Sequence, residues 1–196
     1  MRLLLLVYLL FPQICMAGLP VLESPSLYAV QTEGQKVELF LLSENLAVLR
    51  QTFTAKRSFG RDLVCLWRQT DDRFLLCLVN RQGLELRFNV GSGGNLYGQV
   101  PGGGGLPAQR VTLHRADFIS PAFALVGNLA ACEQGLCFTD YATGCIFPLV
   151  GEKLLEEGEF FVDALGRLLP GGELEIVRLR HLSRHFPAKS LPNRTQ

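Results

Sequence analysis

Gly91-Ser92-Gly93-Gly94-Asn95-Leu96-Tyr97-Gly98-Gln99-Val100-Pro101-Gly102-Gly103-Gly104-Gly105-Leu106-Pro107 is the stretch on which the reading of this chain turns. Eight of its seventeen residues are Gly and two are Pro, against an average of about 7% Gly. At first sight it is a flexible linker between two halves, each long enough for a small domain. Residue by residue it divides into three. Gly91–Gly94 reads as a turn. Asn95–Val100 reads as a short last strand of the first half, with Leu96 and the Gly98 backbone on one face and Tyr97 on the other. Pro101–Pro107 is left as the connection, with Gly102–Gly105 expected to be too flexible to hold structure.

Upstream, turn residues punctuate short apolar runs. Lys36–Leu42 follows Glu33-Gly34-Gln35, Leu46–Thr54 follows Ser43-Glu44-Asn45, and Arg61–Gln69 follows Ser58-Phe59-Gly60. Phe74–Val79 and Leu84–Val90 complete the series. Spacing of this kind predicts an all-β meander. Within runs such as Leu84-Glu85-Leu86-Arg87-Phe88, apolar and polar residues alternate, so one face is buried and the other wet. A small barrel or strongly curved sheet follows, because closure removes exposed strand edges.

Downstream, Ala122–Ala131, Leu136–Tyr141 and Cys145–Val150 read as three meandering strands. Gly151–Gly158 contains good helix formers and ends in Gly. Glu159–Ala164 and Glu173–Leu179 are two further strands. Three strands, one short helix and two strands is the element order of an OB-type barrel. The organisation expected is therefore residues 1–17 as a signal peptide, 18–100 as a first barrel, 101–107 as a linker, 108–180 as an OB-like domain and 181–196 as a flexible basic tail.

The ends and the composition bound the function. Of 196 residues, 48% are hydrophobic and 19% charged, which suits packed cores rather than disorder. The net charge is +1, and removal of Arg2 would take it to zero. A near-neutral body does not predict binding to nucleic acid. Arg2, the apolar run Leu3–Phe11, and Cys15-Met16-Ala17 before Gly18 form the three-part pattern of a secretory signal cut after Ala17. The run is too short to span a bilayer. Cys15 raises the question of a lipid anchor. The length of the signal fits one, but Pro12 and Ile14 stand where a lipoprotein cleavage site wants Leu and a small residue. Membrane association would require lipid on Cys15.

Five cysteines follow Ala17, and in an oxidising compartment some should pair. Cys132 and Cys137 flank a turn and suit a disulfide stapling a hairpin, with Cys145 left free; the alternative is three packed thiols. For Cys65 and Cys77 the turn length decides. A two-residue turn at Asp71-Asp72 sets Cys65 opposite Leu78, whereas a three-residue turn sets it opposite Cys77, within bridging range. Two buried free thiols are the other reading, and the pattern leaves both open. Trp67, on the face of Cys65, reads as core rather than as a ligand platform.

No motif carries catalysis. There is no Walker loop, dinucleotide fingerprint, Gly-x-Ser-x-Gly elbow or Cys-x-x-Cys. Nothing in the pattern pairs His114 with a cysteine. Beyond Ala17 there is no Met for thioether copper ligation. His181 and His185 would share a face on a helix, but no third ligand accompanies them, and the surrounding Arg residues fit a solvated basic tail. The expectation is a non-enzymatic protein without a cofactor.

Two stretches resemble the NlpE family of bacterial envelope lipoproteins, often labelled copper resistance or copper homeostasis proteins. Phe138-Thr139-Asp140-Tyr141-Ala142-Thr143-Gly144 is similar to a family segment in which Tyr141 replaces a Cys. Val37-Glu38-Leu39-Phe40-Leu41, Trp67, Phe74-Leu75-Leu76 and Asn95-Leu96-Tyr97 follow the family's strand and Trp order. The resemblance implies a lipocalin-like barrel followed by an OB-type barrel. It also implies a periplasmic or outer-membrane-associated protein reporting envelope stress to a two-component sensor, with links to copper, adhesion and disulfide status. The family's Cys-x-x-Cys would fall near Gln31-Thr32-Glu33-Gly34, where this chain has no Cys, so metal binding through that motif does not carry over. The functional expectation is an exported protein acting by contacts with envelope proteins; the alternative is a barrel that binds a small apolar ligand.

Overall fold

The computed structural model describes residues 21–54, 59–70, 74–78, 85–103, 105–151, 160–169 and 171–183. The expected signal peptide with Cys15, all but the first residue of the expected helix (Gly151–Gly158) and the tail from 184 onward lie outside these residues. The side chain of Cys77 does too. The described chain is all-β. The first strands are β1 (Ser26–Thr32), β2 (Gln35–Leu41), β3 (Leu46–Phe53), β4 (Phe59–Thr70), β5 (Phe74–Leu78), β6 (Glu85–Val90), β7 (Leu96–Val100) and β8 (Gln109–Ala116). Then follow β9 (Phe123–Cys132), β10 (Gly135–Asp140), β11 (Ile146–Val150), β12 (Phe160–Leu168) and β13 (Leu174–Ser183).

β1 to β8 pair in sequence order, all antiparallel, and β8 returns to β1 to close the barrel. This is the up-and-down architecture of lipocalins. Its interior is filled by Leu39, Leu49, Trp67, Phe88, Leu96 and Leu113 among others, as an eight-stranded barrel can be. β6 shows the strict alternation of exposed and buried residues that its sequence predicts. At one end Trp67 donates its indole N–H to the Ser43 carbonyl at 2.8 Å, and the Leu22 amide donates to Gln69 at 2.9 Å. At the other end the plug is polar. Gln51, fully buried, donates to the Pro101 carbonyl at 2.9 Å and to Gln35 at 3.3 Å. Arg61 donates to Gln51 and to the Gly102 carbonyl, and its guanidinium lies over the Phe53 ring.

Two expectations are corrected here. The first barrel does not end at residue 100 but at Ala116, because β8 pairs with β7 from Leu96↔Leu113 to Val100↔Gln109 and with β1 at Tyr28↔Arg115. Strand edges left open by a seven-strand sheet find each other only through this last strand. Nor is the described part of the Gly102–Gly105 run, residues 102, 103 and 105, a loose linker. Gly103 bridges Leu106, and a Cβ on Gly103 would meet the Phe53 ring at 2.6 Å, so the connection lies flat on the plugged end. The carbonyls of Pro101 and Gly102 are spoken for by Gln51 and Arg61.

The β4–β5 register is also unlike either expectation. Thr70 faces Phe74, so Trp67 faces Cys77 and Cys65 is displaced two residues from it.

β9 to β13 form the second closed barrel in the spatial order β10-β11-β13-β12-β9. β11 and β13 run parallel and every other pair is antiparallel. That is the OB arrangement. The last strand extends to Ser183, so His181 lies in β13 rather than in a tail.

The barrels share one apolar cluster. Phe40, Leu46, Val48 and Val64 from the outside of β2–β4, with Leu42 just after β2, join Phe123, Leu125, Phe138, Phe147 and Val162 from the inside of the second barrel. At its rim Arg50 grips Asp62 with two bonds, Nε to Oδ1 at 2.7 Å and Nη2 to Oδ2 at 2.9 Å. Arg50 also donates to the Ala122 carbonyl at 2.7 Å, while Asp62 accepts from the Ala124 amide at 2.7 Å. The guanidinium lies against the Phe40 and Phe123 rings. Burial is the largest influence and works against its charge, but the hydrogen bond to Asp62 and the charges of Asp62 and Glu38 together outweigh it and hold Arg50 above its ordinary pKa.

A Cβ on Gly98 would overlap the Phe88 ring and the Arg87 carbonyl. Gly98→Ala is therefore expected to destabilise the protein by about 1–3 kcal/mol in urea melts, whereas an open strand position would gain from the same change. Deleting Gly102–Gly105 is expected to lower the urea midpoint of the first barrel, which a linker deletion would leave in place. Asp62→Ala strips a nearly buried carboxylate from Arg50 and is expected to cost about 3 kcal/mol by the same measurement.

Candidate functional site

The second barrel carries the chemistry that the chain exposes. β9 and β10 are joined by a two-residue turn at Glu133-Gln134, with Cys132 opposite Gly135 and Cys137 opposite Ala130. Side chains alternate along a strand, so Cys132 and Cys137 fall on the same, outer face. They form a disulfide with their Cα atoms 5.9 Å apart, stapling the hairpin. Cys145 is opposite in kind. It carries a free thiol that points inward against the cluster shared by the barrels.

Local chemistry explains the bend before Cys145. Asp140, nearly buried, accepts from the Thr143 amide at 2.8 Å and its hydroxyl at 2.7 Å. The Gly144 amide returns to the Asp140 carbonyl at 2.8 Å. A short polar side chain that bonds its own backbone three residues on is what an Asp-initiated turn requires. The free thiol is held up from its ordinary pKa mainly by burial, with the Thr143 hydroxyl lowering it and the Asp140 charge raising it. With its nucleophilic form suppressed, Cys145 is suited to packing rather than attack.

Beside the staple, exposed apolar side chains stand among polar ones on the outer surface. Phe161, Asn128, Thr139 and Ile146 form a row across β12, β9, β10 and β11. Tyr141, whose amide donates to the Val126 carbonyl, stands next to that row and meets Phe161 edge-on at 5.7 Å. Tyr141 is 60% exposed, Ile146 62% and Val126 40%. Apolar side chains gathered in this way on a sheet face mark a contact surface more often than scattered ones do.

Of the other residues singled out by sequence, Cys65 is disulfide-bonded in the wall of the first barrel. Trp67 is core. His114 contacts Asn95 at 3.2 Å on the outside of the first barrel. The residues do not fit the copper site that the family resemblance implies. Cys65, Cys132 and Cys137 are oxidised, and no group of three metal-ligating side chains occurs among the described residues. Arg50 and Asp62 were invisible to motif reading, although a signal existed. Leu39-Phe40-Leu41-Leu42 and Leu46-Ala47-Val48-Leu49 are unbroken apolar runs, which mean a strand buried on both faces.

No family model and no curated protein matches the chain. Among solved structures it is similar to the Cpx pathway activator NlpE from Escherichia coli, at 18% sequence identity and a TM-score of 0.32, over 85% of this chain and 98% of that chain.

Because its pKa is raised, Cys145 is expected to alkylate slowly with iodoacetamide in the native protein at about pH 8.5, where an ordinary thiol is half ionised. The rate should climb as the pH rises further. Mass spectrometry of timed samples, with the unfolded protein as reference, makes the comparison.

Proposed function

We propose that this chain is an exported, non-enzymatic protein of the bacterial envelope that acts in envelope homeostasis or stress signalling through protein contacts. The N-terminal signal pattern and the resemblance to the NlpE family support that class, and a two-component sensor is the kind of partner the resemblance implies. The observation that carries the reading is the pairing of an exposed apolar face, Tyr141, Ile146 and Val126, with a disulfide at its edge. An envelope partner docks on that face. Reduction of Cys132–Cys137 releases the turn beside it, giving the contact a link to redox state. Cys77, on the strand next to Cys65, is the partner we assign to the second disulfide. Association with the membrane depends on lipid at Cys15.

The mature protein, recovered from fractionated cells, is expected in the periplasmic or outer-membrane fraction. It should begin at Gly18, unless lipid at Cys15 moves the cut, and contain two disulfides and one free thiol by non-reducing mass spectrometry. Retention in the cytoplasm with residues 1–17 attached would sink the proposal. Tyr141→Ser combined with Ile146→Asp is expected to abolish the response of an envelope-stress reporter to overexpression while leaving the melting temperature unchanged. Cys132→Ser with Cys137→Ser should alter that response and cost about 2 kcal/mol of stability, as expected for a short closed loop. A full response from the first pair would show that the face is not the contact.

A further inference from the structure

The outside of the first barrel holds a second, chemically different surface, independent of the reading above. A groove of about 470 Å³ runs over β6, β7 and β8, within the range of small-ligand sites. Arg87, Asn89, Tyr97, Gln99, Arg110 and Thr112 line it. Register brings them together. Asn89 faces Tyr97, which faces Thr112, and in the next row Gln99 faces Arg110, with Arg87 one residue beyond the Phe88–Gly98 pair. The groove thus presents two guanidinium groups, two carboxamides, a hydroxyl and one aromatic ring.

Its lining contains no carboxylate. Arg87 is engaged by Glu85 at 2.7 Å at the edge. Among the described residues the Arg110 side chain has no ion-pair or hydrogen-bond partner, and it brings an uncompensated positive charge to the groove. Tyr97 is 43% exposed, and the edge of its ring abuts Gly91, where a Cβ would meet Cε2 at 2.5 Å. The glycine therefore leaves room for the ring edge, and the exposed part of the ring borders the groove.

We infer that this groove binds an acidic saccharide. A flat aromatic face stacks on the C–H face of a sugar ring. Planar carboxamides and guanidinium forks match pairs of neighbouring hydroxyls, and a free guanidinium selects a carboxylate bidentately. A purely apolar ligand would leave these donors unmatched. A nucleic acid would need a longer basic track than one uncompensated arginine.

The test is titration of the full mature protein with D-glucuronic acid, D-glucose and acetate, followed by protein NMR shifts. Glucuronate is expected to bind best, with shifts confined to β6–β8, and acetate least. Arg110→Gln should weaken glucuronate about tenfold, the loss of one charged hydrogen-bonded contact, and leave glucose unchanged. Tyr97→Ala should weaken both sugars. Should that variant fail to fold, Gln99→Ala, at an exposed position on the same row, is expected to weaken both sugars as well. Absence of saturable glucuronate binding would overturn the inference, as would equal binding of acetate, insensitivity to Arg110→Gln, or tighter binding of a dipeptide carboxylate than of the sugar.

Discussion

The contact at Arg50 and Asp62 governs how this molecule is put together. The two side chains sit opposite each other on β3 and β4, on the outside of the first barrel. Their remaining bonding capacity goes to backbone at the start of β9, through the Ala122 carbonyl and the Ala124 amide. Around them Phe40, Phe118 and Phe123 meet edge to face. Burial of two phenylalanines is worth about 1.5–3 kcal/mol each, whereas a largely buried ion pair spends much of its attraction on desolvation. The rings therefore drive the association, and the charged pair sets its register, because only one placement of β9 satisfies both Arg50 and Asp62.

That division of labour has a consequence for the second barrel. Its inner side chains belong to the same cluster as the outer side chains of β2–β4. The OB-type barrel is thus closed off by its neighbour, and each barrel contributes to the stability of the other. With β2–β4 committed to the junction, the first barrel is left with β6–β8 as its wet face, where the polar groove lies. The second is left with the outside of β9–β11, where the staple and the exposed Val126, Tyr141 and Ile146 side chains lie. Two surfaces of different chemistry are thus carried on one core.

Much of this was legible in the chain. The alternation in Leu84–Val90 became β6, with each side chain on the face that its polarity demanded. Leu96 went inside and Tyr97 outside. The order of elements after Ala122 matched an OB-type barrel because the parallel β11–β13 pair needs a connection long enough to cross over. The glycine-rich connection was misread because composition reports what backbone can do, not what holds it. Gln51 and Arg61, distant in sequence, hold this one. Of the groove, Arg87 and Tyr97 were legible as outward-facing residues. That Arg110 stands beside them was not, since it follows the supposed linker.

By itself the sequence determined what depends on near neighbours: strand faces of period two, the turns at Glu33-Gly34 and Glu133-Gln134, and the placing of Cys132 and Cys137 on either side of the second turn. These are settled within a few residues of chain. The tertiary structure alone decided which edges close, with β8 joining β1, how β4 and β5 register, and which outer face is covered. Those outcomes rest on pairing between segments far apart in sequence. Any free edge or apolar face is a candidate partner until the whole chain has packed and the rim contacts of Arg50, Asp62 and β9 select one.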